Sequence, residues 1–529
     1  MKKRALYWIV PVSLLTVLPA IAFLMWRSAA VDFAGAIAVN RPPQIRPDYR
    51  DAVVPPNIAP LNFLVEEPGT RYGVRVRSAE GGMIELVSRT PQIAIPPSRW
   101  KRLLAANRGR KLYFDVCVRR EDGQWTRFEP IQNTIADAEI DRYLFYRLIK
   151  PIYILRVNVG IYQRDIETYE ESVVLSNRSF KGGCINCHTF APNHPDQMIL
   201  QCRGSSDARE WSGMIVVREG KVRKVDTRTL IGAAEHDRGR VGQSMAAFTA
   251  WHPNGRLVAF SANKITQFFH AAGENRDVFD AQSDLALYDA DSNTVTTTPD
   301  ISQPDRLETF PTWSPDGRYL YFSSTRPLPK ERYREVRYDL MRIAYEADSG
   351  RWGEVEPVLL AKETGLSITE PRVSPDGRWL LFCMSSYGAF PVFQPSSDLY
   401  LLDLKTRQYH PLAVNSERCE SWHSWSSNSR WIAFASKRRD GVFSRVYFSH
   451  VDPAGHAHKP VLLPQKDPTF YDRFLKTYNV PELASAPAPA TCRALARAVR
   501  SPGPPGVAAP DPAPGMHEPE ASGSMEHPP

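Results

Sequence analysis

Apolar and polar positions alternate along most of the chain in short runs broken by turn residues, and four of these runs align with one another. They are Trp251–Phe260, Trp313–Phe322, Val373–Phe382 and Trp425–Phe434. Each reads as a strand end, a turn of the Pro-Asp-Gly type and an apolar strand. Pro presets φ, Asp or Asn hydrogen-bonds its own backbone, and Gly accepts positive φ. The aspartates of these turns are therefore structural. A further strand follows each copy: Asp284–Tyr288, Asp339–Ile343, Asp398–Leu402 and Arg445–Phe448. A fifth, degenerate copy covers Phe190–Leu200, with two extra residues in its turn. Gly213–Val217 and Lys221–Val225 supply its outer strands, joined at Glu219-Gly220. One four-stranded sheet per repeat, stacked radially, is a β-propeller.

The repeated turns resemble those of TolB-type propeller proteins, over roughly residues 185–465. The fourth copy departs from the pattern, with Ser427 and Ser429 where Pro and Gly would stand. The resemblance implies a ring of six blades, of which five repeats are visible. The sixth is expected from the strands just before Cys184 or from Val461–Leu463. The fold class is thus mainly β: an N-terminal β-sandwich followed by a TolB-like propeller over 181–480, with one N-terminal transmembrane helix.

The sandwich is expected over 57–180. Asn57–Phe63, Tyr72–Arg77, Met83–Val87, Lys111–Val116 and Trp125–Phe128 read as its strands. Helices are expected at Pro97–Asn107, with Gly109 after its end, and at Asp137–Ile149. Before the sandwich, residues 30–56 read as a Pro-punctuated linker. After the propeller, the Ala/Pro-rich stretch 484–529 reads as a disordered tail carrying an exposed Cys492. At the N-terminus (1–29), Lys2, Lys3 and Arg4 precede an uncharged run from Ala5 to Trp26 that Arg27 closes. About 22 residues at ~1.5 Å each span a bilayer, whereas a cleaved signal has a shorter apolar core. Ser28-Ala29-Ala30 is a small-residue site where cleavage would fall, but the length favours an anchor. The basic end stays inside, which places the protein as a single-pass component of a bacterial cytoplasmic membrane with its bulk facing the periplasm.

The chemistry concentrates at Cys184-Ile185-Asn186-Cys187-His188, a C-x-x-C-H sequence. Two thiols at this spacing form thioethers to the vinyl groups of one porphyrin, and the imidazole binds its iron. A zinc knuckle needs a second ligand pair, and a thioredoxin-like dithiol needs a βαβ context; neither follows in this chain. One covalent haem c is therefore expected on Cys184 and Cys187, with His188 as proximal iron ligand. Met198 is the first candidate for the distal position, with Met245 and His194 as alternatives, although core packing is the commoner fate of a lone Met. In a tight hairpin Met198 would face His188 directly, too close for two axial ligands. Tyr143–Arg147 and Tyr162–Arg164 would suit the edge of a haem or ordinary packing. His423, between Trp422 and Trp425, is a conceivable ligand in the channel, against the plainer role of a packed core histidine.

Charge and composition narrow the function. The net charge of +8 on 529 residues is too diffuse for a nucleic-acid surface. Five further cysteines, an odd number, do not make a disulfide framework. No catalytic residue stands out, and no G-x-S-x-G elbow accompanies the propeller. A single haem relays single electrons, so the expected role is electron transfer beside or within a membrane redox complex, with redox proteins and the lipid bilayer as partners. The competing readings are an enzyme or sensor with an open iron, and an interaction scaffold with a structural haem.

Overall fold

The computed structural model describes residues 31, 33–80, 82–151, 158–191, 194–225, 246–268 and 277–501. The expected anchor, Met245 and 502–529 lie outside them. Among the described residues no helix is long and apolar enough to cross a membrane. The chain divides into two compact units: residues up to Glu139 with Glu167–Tyr169 and Pro464–Phe474, and the remainder.

In the first unit, Arg71–Arg77 and Lys111–Arg119 form the centre of a seven-stranded sheet. Met83–Ser88 flanks the former; Trp125–Arg127 and Ile131–Ile135 share the far edge of the latter. Ile45–Arg46, Phe63–Val65 and Gln92–Ile93 form a second, three-stranded sheet. Phe63 and Trp100 each meet Phe114, with ring centroids 6.0 and 6.2 Å apart. The expected helix is present as Pro97–Ala106, with Pro at N1, where its missing N–H costs nothing. It buries Trp100, Leu103 and Leu104, and Trp100 donates its indole N–H to the Ile58 carbonyl at 2.9 Å. The segment read as a linker is folded into this unit: Ile37–Ala38 pairs with Trp125–Arg127, Ile45–Arg46 with Phe63–Val65, and Val53–Val54 with Ile131–Ile135. Its prolines punctuate short edge strands, where a missing N–H is tolerated.

Among the described residues the second unit holds six four-stranded antiparallel sheets. Blade 1 runs, from its inner strand outward, Thr477–Ala484, Tyr143–Ile149, Gly160–Asp165, Glu171–Ser176. Blade 2 is Cys184–Ala191, His194–Arg203, Gly213–Arg218, Lys221–Val225. Blade 3 is Ala246–Trp251, Leu257–Phe268, Asp277–Asp289, Thr294–Thr296. Blade 4 is Leu307–Trp313, Tyr319–Thr325, Asp339–Glu346, Arg351–Leu359. Blade 5 is Ser367–Val373, Trp379–Ser385, Asp398–Asp403, Tyr409–Pro411. Blade 6 is Glu420–Trp425, Trp431–Ser436, Arg445–His450, Val461–Leu462. Each inner strand lies against the next, and that of blade 6 lies against Thr477–Ala484, which in turn meets that of blade 2. The ring is closed: a six-bladed propeller whose first blade takes three strands from before Cys184 and its inner strand from the C-terminal side.

Apolar cores fill the gaps between blades. Phe145, Ile161, Phe190, Met198 and Leu200 pack between blades 1 and 2; Trp251, Phe260 and Tyr288 pack between blades 2 and 3. The repeated turns add a belt of contacts. His252 meets the Gly317 carbonyl at 3.1 Å, the Asp376 N–H donates to the Ser429 hydroxyl at 3.0 Å, and Ser427 donates both its N–H and its hydroxyl to Asp141. Ser429 holds φ +59 without being glycine. The departure in the fourth copy is thus compensated by hydrogen bonds to its neighbours.

Besides the linker, three expectations are corrected. The sandwich does not reach 180, because Tyr143–Ile149, Gly160–Asp165 and Glu171–Ser176 belong to blade 1 of the propeller. Asp137–Ile149 is not a helix, because Tyr143–Ile149 is a strand with Leu144, Phe145, Tyr146, Leu148 and Ile149 buried. Its aromatic and β-branched side chains suit a two-faced buried strand. The stretch from Ala484 to Ser501 is not a disordered tail. Thr491 caps a helix over Cys492–Arg500 by accepting the Ala494 N–H at 3.2 Å, and Leu495 and Val499 enter the core of blades 1 and 2. At the C-terminal end of this helix the buried Lys224 ammonium bonds the Val499 and Ser501 carbonyls, the placement that a helix dipole favours. Cys492 is half-buried.

Candidate functional site

The C-x-x-C-H segment forms the inner strand of blade 2, as its place in the degenerate repeat implies. Chain entry to it is tight. After the 3₁₀ turn Asn177–Phe180, Lys181 and Gly182 take left-handed backbone at φ 50 and 73. A Cβ on Gly183 would fall 2.5 Å from both the Arg203 carbonyl and the Phe180 ring, so only glycine lets the two strands close here.

Every other inner strand carries a bulge three residues before its last inward aromatic or aliphatic residue. Phe248, Phe310, Glu370, Trp422 and Val480 occupy it, at φ 48, 53, 54, 41 and 49. In blade 2 this place belongs to Cys187, inside the gap where strand pairing skips from Ile185 to His188. Bulges re-aim side chains next to sites. Here they aim at the propeller axis, where Phe248 and Phe310 meet with tilted rings 4.2 Å apart and Trp422 lies near-parallel to Phe248 at 6.0 Å across the ring. Aromatics therefore fill the channel at the level of Cys187.

His188 follows the bulge, the same relative place that His423 holds in blade 6. Its side chain has no exposed area and its ring lies 6.4 Å from both Phe145 and Phe190. Both ring nitrogens are buried without a hydrogen-bond partner. Burial, with the Arg147 and Arg372 guanidinium charges adding, pushes its pKa down to about 3, so the imidazole is neutral and free to act as a ligand. Glu482 on the closing strand accepts the Phe190 N–H at 3.0 Å and holds its other oxygen 3.9 Å from His188 Nε2. Burial raises this carboxyl to about 7. Arg147 fixes the segment from blade 1, donating to Asn186 Oδ1 at 2.8 Å and to the Ile185 carbonyl at 3.3 Å. The stretch Tyr143–Arg147 therefore borders the motif through Phe145 and Arg147.

Cys184 is half-buried and Cys187 is buried; both are free thiols. Burial raises the Cys187 thiol, which faces the Phe248 backbone of blade 3, whereas His188 faces blade 1. Neighbouring residues of a strand project to opposite faces. The three donors thus do not converge as they would on one helical turn.

The distal candidates separate. Met198 does not face His188. Leu200 does, and Met198 pairs with Phe190, fully buried in the core between blades 1 and 2. This diagonal placement sets the two residues about 7–8 Å apart on one face of the sheet. His194 opens the second strand opposite Ala191. Met245 lies outside the described residues.

No protein-family profile and no curated protein matches the chain. Among solved structures it is similar to the Dos1 propeller (11% identity, 54% of this chain and 63% of that one, TM-score 0.35). It is also similar to a nidogen/laminin complex (7%, 65% and 100%, TM-score 0.37). A third is prolyl oligopeptidase B of Galerina marginata bound to a macrocyclization substrate (10%, 66% and 42%, TM-score 0.33). The chain spans less than two thirds of the first and third of these. The propeller assignment rests on the six sheets themselves.

Proposed function

We propose that this chain is a TolB-like propeller that carries one covalent haem c on Cys184 and Cys187, with His188 as axial ligand, and that it transfers single electrons at the periplasmic face of a bacterial membrane. The observation that carries this reading is the imidazole within a C-x-x-C-H sequence, buried and neutral with both nitrogens unpartnered. A buried polar side chain without a partner costs about 1–3 kcal/mol, and ligation of iron removes that cost. The donor types suit the group, two free thiols and a neutral nitrogen within five residues of one strand, although this strand does not bring them together. When bound, a haem supplies a reversible one-electron couple tuned by its axial ligands and burial.

The protein's own residues shape that site. Arg147 and Arg372 place positive charge near His188, and Glu482 sets a titratable carboxyl beside it. Because Cys187 and His188 leave opposite faces of the strand, engaging both goes with release of Cys184–His188 from Leu200–Arg203. Pairing is already interrupted at that point. Redox proteins and the bilayer remain the proposed partners, through the apolar run Ala5–Trp26.

The test is expression of the full chain in a bacterium with c-type cytochrome maturation, followed by denaturing gel electrophoresis with haem staining. The expected result is covalent haem that is lost in the Cys184→Ser, Cys187→Ser double variant. Absence of covalent haem from the wild-type chain overturns the proposal. In the loaded protein, reduced-state carbon monoxide binding separates an open iron, suited to an enzyme or sensor, from a six-coordinate carrier.

A further inference from the structure

Away from the C-x-x-C-H strand, where blades 5 and 6 meet, Glu370, Cys383 and His423 bring one oxygen, one sulfur and one nitrogen within 4.8 Å of one another. Glu370 occupies the bulge of the inner strand of blade 5, Cys383 lies on the second strand of that blade, and His423 follows the bulge of blade 6. They are 5%, 0% and 5% exposed. Cys383 Sγ lies 3.4 Å from Glu370 Oε2 and 3.8 Å from His423 Nδ1. A tetrahedral ion with bonds of about 2.3 Å to sulfur and about 2.0–2.2 Å to nitrogen and oxygen sets its ligand atoms about 3.5 Å apart.

The surroundings prepare each donor. His423 Nε2 is 3.2 Å from the Leu381 carbonyl, which only accepts. A proton on Nε2 satisfies that carbonyl and leaves the Nδ1 lone pair toward Cys383, the outer-shell arrangement that orients metal-ligating histidines. The Trp422 N–H holds Glu370 Oε2 at 2.7 Å, while Glu370 Oε1 is buried with no partner. The fold does not require these residue types. The bulge place of Glu370 holds Phe248, Phe310, Trp422 and Val480 in other blades, and the register place of Cys383 holds Ser261, Ser323 and Ala435. The place of His423 holds Thr249, Pro311, Pro371 and Pro481 in all blades but 2 and 6.

We propose that Glu370, Cys383 and His423 form a binding site for one zinc-class divalent cation. A thiolate with an imidazole selects a borderline-soft metal over magnesium or calcium. The thiolate and carboxylate together neutralise the two positive charges of the ion. Binding releases to solvent the protons that burial keeps on the Cys383 thiol and the Glu370 carboxyl. Three protein ligands leave a fourth position for water, as in catalytic rather than structural zinc sites. The site stands whether or not the chain carries haem.

The test is titration of the chelator-treated full chain with cobalt(II), a spectroscopic substitute for zinc. One equivalent with thiolate-to-cobalt charge-transfer absorption, displaced by zinc, is expected. Cys383→Ser should abolish that absorption and the Cys184→Ser, Cys187→Ser double variant should leave it intact. His423→Ala should weaken cobalt binding by more than the 10–100-fold that losing an outer-shell partner costs. No charge-transfer band in the wild-type chain, or a band that survives Cys383→Ser, overturns the proposal. X-ray absorption at the zinc edge of the wild-type protein decides independently of any variant's folding: one sulfur neighbour among nitrogen and oxygen supports the site, and none refutes it.

Discussion

Gly183 is the residue on which the geometry of the C-x-x-C-H strand turns. The Arg203 carbonyl and the Phe180 ring leave no volume for a methyl group at that point. Gly183→Ala forces one of them away, an overpacking cost of about 1–3 kcal/mol. A fall in the thermal unfolding midpoint of the full chain is the expected reading, and an unchanged midpoint would mean that the strand entry relaxes freely. The neighbouring chemistry was partly visible at this scale. The C-x-x-C-H spacing singled out Cys184, Cys187 and His188, because five consecutive residues carry that signal. The partners of His188 are not visible in the sequence, since Glu482 comes from a strand nearly three hundred residues later and the bulge that holds Cys187 leaves no mark in composition. Glu370 and Cys383 were silent for the same reason: each lies in an ordinary strand, and only their approach to His423 across a blade boundary makes a constellation.

Elements whose pairing is local were legible, and those paired across the chain were not. The turn residues of Trp313–Phe322 and Val373–Phe382 announce hairpins because Pro, Asp and Gly act within four residues. Asp137–Ile149 reads as helix from its own residues, whereas Tyr143–Ile149 is a strand whose partner on one side is Thr477–Ala484. No local pattern reports that pairing, and a run buried on both faces loses its alternation. The helix Cys492–Arg500 was hidden in an Ala- and Pro-rich context that argues for disorder, yet its Leu495 and Val499 are fully buried against blades 1 and 2. It acts as a cover on the closing blade rather than as a tail. Leu495→Ala removes a wholly enclosed side chain, and a loss of about 2–5 kcal/mol is expected in denaturant unfolding. A change below about 0.5 kcal/mol, the range of surface substitutions, would place the helix outside the cooperative fold.

For the molecule as a whole, closing a ring of six sheets places the inner strands, and whatever polar groups they carry, in a poorly solvated centre. Glu308 on the inner strand of blade 4 is fully buried with neither carboxylate oxygen partnered, and Asp280 of blade 3 is buried nearby with one oxygen held by Asn263. Burial raises Glu308 to about 9, with the charge of Asp284 adding, and raises Asp280 to about 7. Both exceed the ordinary carboxyl values of 4.5 and 3.8. A folded pKa above the unfolded one means that the folded state holds the proton more tightly. The resulting stabilisation is complete below the unfolded value and is lost as pH rises through the folded one. Asp280 therefore contributes this loss up to about pH 7 and Glu308 up to about 9, so the unfolding midpoint should still decline between about 7 and 9 through Glu308, a window in which ordinary carboxylates are already ionised and contribute no slope. Glu308→Gln, which keeps the shape and removes the titration, should flatten the upper part of that decline while leaving the part near pH 7 to Asp280. Thermal unfolding followed by circular dichroism across this range measures both. A midpoint that does not fall, or that falls equally in Glu308→Gln, would mean that Glu308 and Asp280 are hydrated through the channel.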